Sequence, residues 1–210
     1  MEHEDFATTD LLSRAQRGDR DALNELLVQY GDRLKRMVRL RLDRRLQGRI
    51  DESDVLQEAF LEVAGKLDDY LAEPKAPFYL WLRTLTGLKL AELHRRHLGT
   101  QLRDANREVS IYRGALPETN SLSLAAQLLG KFTSPSQAAV KAERRMKLQE
   151  VLNSMDPVDR EILALRHFEQ LSNAETAQVL GMSESGATAR HVRALKRLRT
   201  LLEQSPGFFD

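Results

Sequence analysis

Apolar residues along this 210-residue chain recur at spacings of three and four, and hardly any stretch alternates with the period of two that a half-buried strand needs. That periodicity confines the fold to the all-α class. It predicts helices over roughly 10–18, 20–47, 52–70, 77–97, 135–154, 157–169, 173–180 and 184–203. Several starts carry chemical signatures. Ser134 before Pro135 and Gln137, and Asp156 before Pro157, each place a capping side chain ahead of a proline in the first turn. Ser172 followed by Glu175 reads as a capping box, and Gly181 is placed as a left-handed stop.

Between positions 99 and 133 the periodicity weakens while Gly, Ser, Asn and Pro117 accumulate, although a short helix from Leu122 to Leu129 fits the pattern. The expected organisation is two small helical domains, 1–98 and 134–210, joined by a linker over 99–133. Fully extended, such a linker reaches on the order of 115 Å; as a flexible coil it averages about 30 Å. The chain contains no cysteine, which removes disulfides, thiolate metal sites and a cysteine nucleophile. No apolar run approaches the roughly 18 residues that span a bilayer, and the first ten residues are acidic and polar, unlike a signal peptide. The expectation is a cytoplasmic protein with no membrane partner.

The formal net charge of +1 conceals segregated blocks of sign. Positions 30–50 hold eight Arg or Lys against two Asp; positions 51–73 hold eight acids against Lys66 alone. Between Glu184 and Glu203 lie five cations and no acid. Blocks of this kind imply distinct charged surfaces with different partners, although each taken singly is also what a solvated helix face looks like.

The stretch from Asn173 onward has the pattern of a helix-turn-helix: a short helix, the turn Gly181-Met182-Ser183, and a longer basic helix. On a helical wheel Ala187, His191, Ala194, Leu195, Leu198 and Leu202 form the packing face. Ser185, Gly186, Ala189, Arg190, Arg193, Lys196, Arg197 and Thr200 form the other. Small residues come first, where a helix entering the major groove nears base edges, and arginines follow, where phosphates and guanines lie. The candidate DNA contacts are Ser185, Thr188, Ala189, Arg190, Arg193, Lys196 and Arg197. His191 and His167 are expected at the core or its boundary.

In the other half, Val55, Leu56, Ala59, Phe60, Val63 and Leu67 make a buried stripe, while Asp54, Gln57, Glu58 and Leu61 face the opposite way. A leucine among acids and amides has no intramolecular reason to be there. It reads as the apolar anchor of a protein-binding face, with a lone exposed leucine as the plain alternative. Farther on, Phe78 and Trp81 are expected in the core. Arg83, Gly87 and His94, with Arg95 and Arg96 nearby, lie on a face away from Phe78 and Leu85 that suits single-stranded nucleic acid; Gly87 would permit close backbone approach.

Three segments carry a family resemblance. The run from Asp51 to Phe60 resembles the core-binding motif of the extracytoplasmic-function (ECF) branch of the sigma-70 family. Phe78-Tyr79-Leu80-Trp81-Leu82 with Leu85 resembles the next motif of that family, and 156–199 resembles its C-terminal domain. The resemblance implies a region-2-like domain and a region-4-like helix-turn-helix domain. It implies RNA polymerase core and promoter DNA as partners, and a possible anti-sigma factor. Asp54, Gln57 and Glu58 would then dock on the polymerase, the helix around Phe78–Leu85 would meet the −10 element, and the last helix would read the −35 element. By position, residues 68–76, with Tyr70 and Pro74, are similar to a base-capturing loop. Leu88, Glu92 and the triplet Ser185-Gly186-Ala187 depart from residues common in the family, which bears on the promoter sequence read.

Two other readings compete. A stand-alone helix-turn-helix regulator ordinarily dimerises to match half-sites, and no heptad seam is present to do so; a monomer in the free state is expected. A metal enzyme built on His94, His97 and Glu92 would place its cation among arginines, and the chain has neither a Gly-rich phosphate loop nor a nucleophile motif. No cofactor is called for.

Overall fold

A computed structural model of the chain describes residues 6–46, 48–98, 117, 119–130 and 138–205. Among the described residues the chain forms nine α-helices and no strand, as the period-3.6 pattern requires. It divides into two compact units, Met1–Pro117 and Glu118–Asp210.

The first unit holds α1 (Phe6–Gln16), α2 (Arg20–Arg41), α3 (Glu52–Ala72) and α4 (Phe78–Leu98). Its core takes Leu26, Leu34, Met37 and Val38 from α2, Val55, Ala59 and Val63 from α3, and Phe78, Leu82 and Leu90 from α4, all fully buried. Each large side chain so buried contributes about 1.5–3 kcal/mol of apolar transfer. An aromatic cluster closes one end: Tyr70 stacks on Trp81 at 4.5 Å, and Phe78 contacts Tyr30, Tyr70 and Trp81. The Thr8 and Tyr30 hydroxyls share a hydrogen bond of 2.9 Å that ties α1 to α2.

Several boundaries in this unit differ from the sequence expectation. α1 starts at Phe6, before position 10. α2 stops at Arg41 because Leu42 turns extended (ψ 123°), and the chain then folds Leu42, Leu46 and Ile50 inward through a compact loop. α3 runs on to Ala72, so positions 68–72 of the expected base-capturing loop are helix. Tyr70 belongs to the aromatic cluster, and its hydroxyl donates to the Ala76 carbonyl at 3.0 Å.

The second unit holds α5 (Ser121–Gly130), α6 (Ala138–Ser154), α7 (Pro157–His167), α8 (Asn173–Leu180) and α9 (Glu184–Glu203). Here the linker expectation is corrected. α5 packs on α6, buries Leu124 and Ala125, and is capped by Asn120, whose Oδ1 accepts from the Leu122 and Ser123 amides. The Thr119 hydroxyl donates to Glu161 on α7 at 2.6 Å. Residues 119–130 therefore belong to the second body. The caps at Asp156 and Ser172–Glu175 form as read, and Gly181 takes the left-handed conformation at φ 62°. The cap at Ser134, Pro135 and Gln137 lies outside the described residues, as do positions 99–116 and 131–133 of the expected linker.

Candidate nucleic-acid interface and docking face

α9 is fixed at its start by its own cap. Ser183 Oγ accepts from the Gly186 amide at 3.1 Å, and a Cβ at Gly186 would stand 3.0 Å from that oxygen. Asn173 Nδ2, from the first turn of α8, donates to the Glu184 carbonyl at 3.0 Å. These bonds set the angle at which the two helices meet. Only Ala187 and Ala194 of α9 are buried, so small residues let the helix sit close while its flanks stay open.

The outward face carries most of the expected contacts. Ser185, Thr188, Ala189, Arg193, Lys196 and Arg197 are exposed. Arg190 is the exception. It lies half-buried, donating from Nε to Asp159 at 2.7 Å and from Nη2 to Asp156 at 2.6 Å. Asp156 is also the N-cap of α7, accepting from the Val158 amide, so Arg190 bolts α9 to the start of α7. Arg193 and Arg197 line the same shallow depression as this pair. The wheel misassigned Leu195, which is 39% exposed, and Gly186 is half-buried rather than outward. His191 is half-buried, with its Nε2 3.0 Å from His167 Nε2. Burial, then the neighbouring His167 and Arg166 charges, hold it below the usual histidine range.

In the first unit α3 displays Leu61 at 78% exposure, beside exposed Asp54 and Gln57 and half-buried Glu58. Asp54 has a structural duty the sequence reading missed. It is the third residue of a capping box, its Oδ2 accepting from the Asp51 amide at 2.9 Å while Asp51 Oδ1 accepts from the Asp54 amide. The signal was present as Asp51-x-x-Asp54, an acidic variant of the Ser/Thr-x-x-Glu pattern. A ladder of ions runs from α3 to α4. Glu62 meets Lys66 and Lys89, Lys89 meets Glu92, and Glu92 meets Arg96, which approaches Glu58 at 3.8 Å. Phe60, expected in the stripe, is only half-buried.

The expected single-strand face on α4 needs correction. Arg83 is 1% exposed, Gly87 is buried, and His94 is buried with its Nε2 accepting from the Asp43 amide at 3.2 Å. α4 is enclosed on that side by its own unit, so these three residues meet protein; Arg95 and Arg96 remain exposed. The residues of the alternative metal set are engaged elsewhere or stand apart, His97 being exposed. His94 is turned to Asp43 and Glu92 to Lys89 and Arg96, and among the described residues no group of three metal-ligating side chains converges.

Residues 145–198, which include α7, α8 and all but the last turn of α9, match the family model described as sigma-70, region 4. The chain is similar to the ECF RNA polymerase sigma factor BldN of Streptomyces coelicolor, 24% identical over 193 residues that cover 92% of this chain and 65% of that protein. It is 31% identical over 199 residues to the ECF RNA polymerase sigma factor ShbA of Streptomyces griseus, covering 92% of this chain and 94% of that one. Its fold is shared with the solved structure of CnrH in complex with the cytosolic domain of CnrY, at a TM-score of 0.56 and 22% identity over 95% of this chain and 99% of that chain. Identity of this order with ShbA along nearly the full length of both proteins fixes the family: the chain belongs to the ECF sigma factors of RNA polymerase.

Proposed function

We propose that this protein associates with core RNA polymerase and directs it to a set of promoters, acting in the cytoplasm where that polymerase works. The observation that carries the reading is α9, which is seated on two buried alanines and turns Ser185, Thr188, Ala189, Arg193, Lys196 and Arg197 outward behind a capped, tightly held turn. A helix presented in this way supplies small side chains to base edges and guanidinium groups to guanines or phosphates. The second unit would read duplex DNA at the −35 element.

The first unit would dock on the polymerase through Leu61 as the apolar anchor, with Gln57 and Glu58 on its polar rim. Asp54 would contribute at the edge of that face while capping α3. Arg95 and Arg96 are the members of the expected −10 set that remain available to DNA. The complex recorded for CnrH, with the cytosolic domain of CnrY, supports a second protein as a binding partner here as well, and an anti-sigma factor would fill that place. None of these roles requires chemistry on a substrate.

Transcription from promoter libraries with purified core enzyme tests the reading. Addition of this chain should produce specific start sites, and Leu61→Asp should remove them along with core association. Binding to DNA with no transcription and no core association would favour a stand-alone regulator.

A further inference from the structure

Two histidines that the proposed function leaves unused meet in the second unit. His167 is the last residue of α7, and His191 lies near the middle of α9, 24 residues later. Their Nε2 atoms are 3.0 Å apart, the ring centroids 5.1 Å apart, and the ring planes are inclined by 40°. His167 is exposed and His191 half-buried, so the pair is open to solvent.

The pair has a defined place in the seating of α9. Consecutive residues of that helix grip opposite ends of α7: Arg190 reaches Asp156 and Asp159 at its start, and His191 meets His167 at its end. Each residue turns a helix by about 100°, so Arg193 stands about 160° around α9 from His191. The imidazoles are therefore on the side of α9 remote from that arginine.

A hydrogen bond alone does not call for two histidines. Neutral imidazoles share an N–H···N bond only if one carries its proton on Nε2 and the other on Nδ1, whereas a glutamine at either position would make the bond without that restriction. What two imidazoles offer in addition is a pair of nitrogen lone pairs within reach of one cation. Histidine nitrogens bind zinc at about 2.0–2.1 Å, which puts two of them about 2.9 Å apart at a right angle and about 3.3 Å apart at the tetrahedral angle. The observed 3.0 Å falls between these values. Nitrogen donors suit zinc, nickel and copper and offer nothing to magnesium or calcium, which take oxygen. Arg166, beside His167, donates to the Leu171 carbonyl. Its charge is felt at His191 and opposes a cation there, which makes the site a weak one, unlike a closed structural centre with four protein ligands.

We propose that His167 and His191 form a two-histidine site for an exchangeable divalent ion of the zinc, nickel and copper class, with water completing its coordination. Both rings then keep their proton on Nδ1 and give Nε2 to the ion. Starting from the neutral pair, the ring that carried its proton on Nε2 moves it to its own Nδ1 through solvent, so binding releases no net proton. The bound ion fastens the end of α7 to α9 and adds a second fixed point to the one that Arg190 supplies at the other end. The site is independent of the sigma-factor reading, since a chain that never joined polymerase would bind the ion equally well.

The test is a zinc titration of the full chain, stripped of metal and held at about pH 7.5, where ordinary imidazoles are neutral. It is followed by nitrogen NMR of the imidazoles and by thermal melting. Of the five histidines, His167 and His191 should respond together and saturate at one equivalent of zinc, ahead of His3, His94 and His97. Zinc should raise the melting temperature of the second unit, and calcium should leave it unchanged. His167→Gln, made at an exposed position, should weaken zinc binding at least about tenfold, because losing a direct ligand costs no less than losing an outer-shell partner. It should also abolish the thermal shift while the helix content seen by circular dichroism is kept, and His191→Gln should act in the same way. A response spread evenly over all five histidines would mean an adventitious ion only and overturns the proposal. Unchanged zinc affinity in His167→Gln overturns it as well, as does the lack of any response in the unaltered chain at millimolar zinc, which would reduce the pair to a hydrogen bond.

Discussion

His94 accepts the Asp43 amide through Nε2, so its ring must be neutral with the remaining proton on Nδ1. Burial first, and the Arg45 charge in addition, depress its pKa below the ordinary 6.5, while Asp43 opposes them. A group depressed in the folded state binds fewer protons there than in the unfolded chain, so stability is complete above about pH 6.5 and declines as pH falls toward the folded value. Paired carboxylates act in a lower window: Glu62 and Glu92 are held below their ordinary 4.5, and Asp43, bonded to Arg45, is lowered to about 2. The contribution of the two glutamates is present above about 4.5 and is lost as pH falls below it, and that of Asp43 is lost as pH falls from 3.8 toward about 2. Urea unfolding between pH 7 and 5 should therefore show a loss of stability that is smaller in His94→Gln, whose amide oxygen accepts the same bond without titrating. Equal pH dependence in the two proteins would contradict this assignment. In the second unit Arg190 is paired with Asp156 and Asp159, whereas Arg193, on the same helix, is exposed. Arg193→Ala should cost about 1–3 kcal/mol in binding the preferred duplex and relax specificity if it reads a guanine. Arg190→Ala should instead lower the stability of the fold by about 1 kcal/mol, the scale of a part-exposed pair, as read by thermal melting.

At the scale of elements, the helix-turn-helix is governed by its punctuation. Ser172 and Glu175 satisfy each other's backbone at the start of α8, Gly181 ends it in the left-handed region, and Ser183 restarts the chain as α9. Gly181→Ala faces no steric neighbour within 4 Å, so its cost is that of placing a Cβ at positive φ, about 1–2 kcal/mol. Urea unfolding of the variant should report that loss. α5 begins at the Asn120 cap, but its place in the second unit depends on burial against α6. Leu124→Ala, which empties a fully buried site against α6, should destabilise the second unit by about 2–5 kcal/mol. A melting curve that left this unit unmoved would show that α5 is not part of it.

For the whole molecule, the sequence by itself determined the helical class and the helix-turn-helix, with α8 and α9 at the expected bounds, because capping side chains and apolar period act over four residues and need no distant partner. The exposure of Leu61 followed from the wheel for the same local reason. What only the tertiary structure decided were the facts that depend on which helix covers which. A wheel shows that Arg83, Gly87 and His94 share a face. It cannot show that their own unit encloses that face, or that the chain from Leu42 to Ile50 leaves the helix and closes a loop against His94. Arg190 looked like its neighbours along α9 until Asp156 and Asp159, more than thirty residues earlier, were brought beside it. The short segment at 121–130 had enough leucine to form a helix but no local sign of its partner, and packing on α6 placed it in the second body. Local hydrogen bonding and periodicity write themselves into neighbouring residues; burial and long-range ion pairs are properties of pairs of elements, and the chain must fold before they exist.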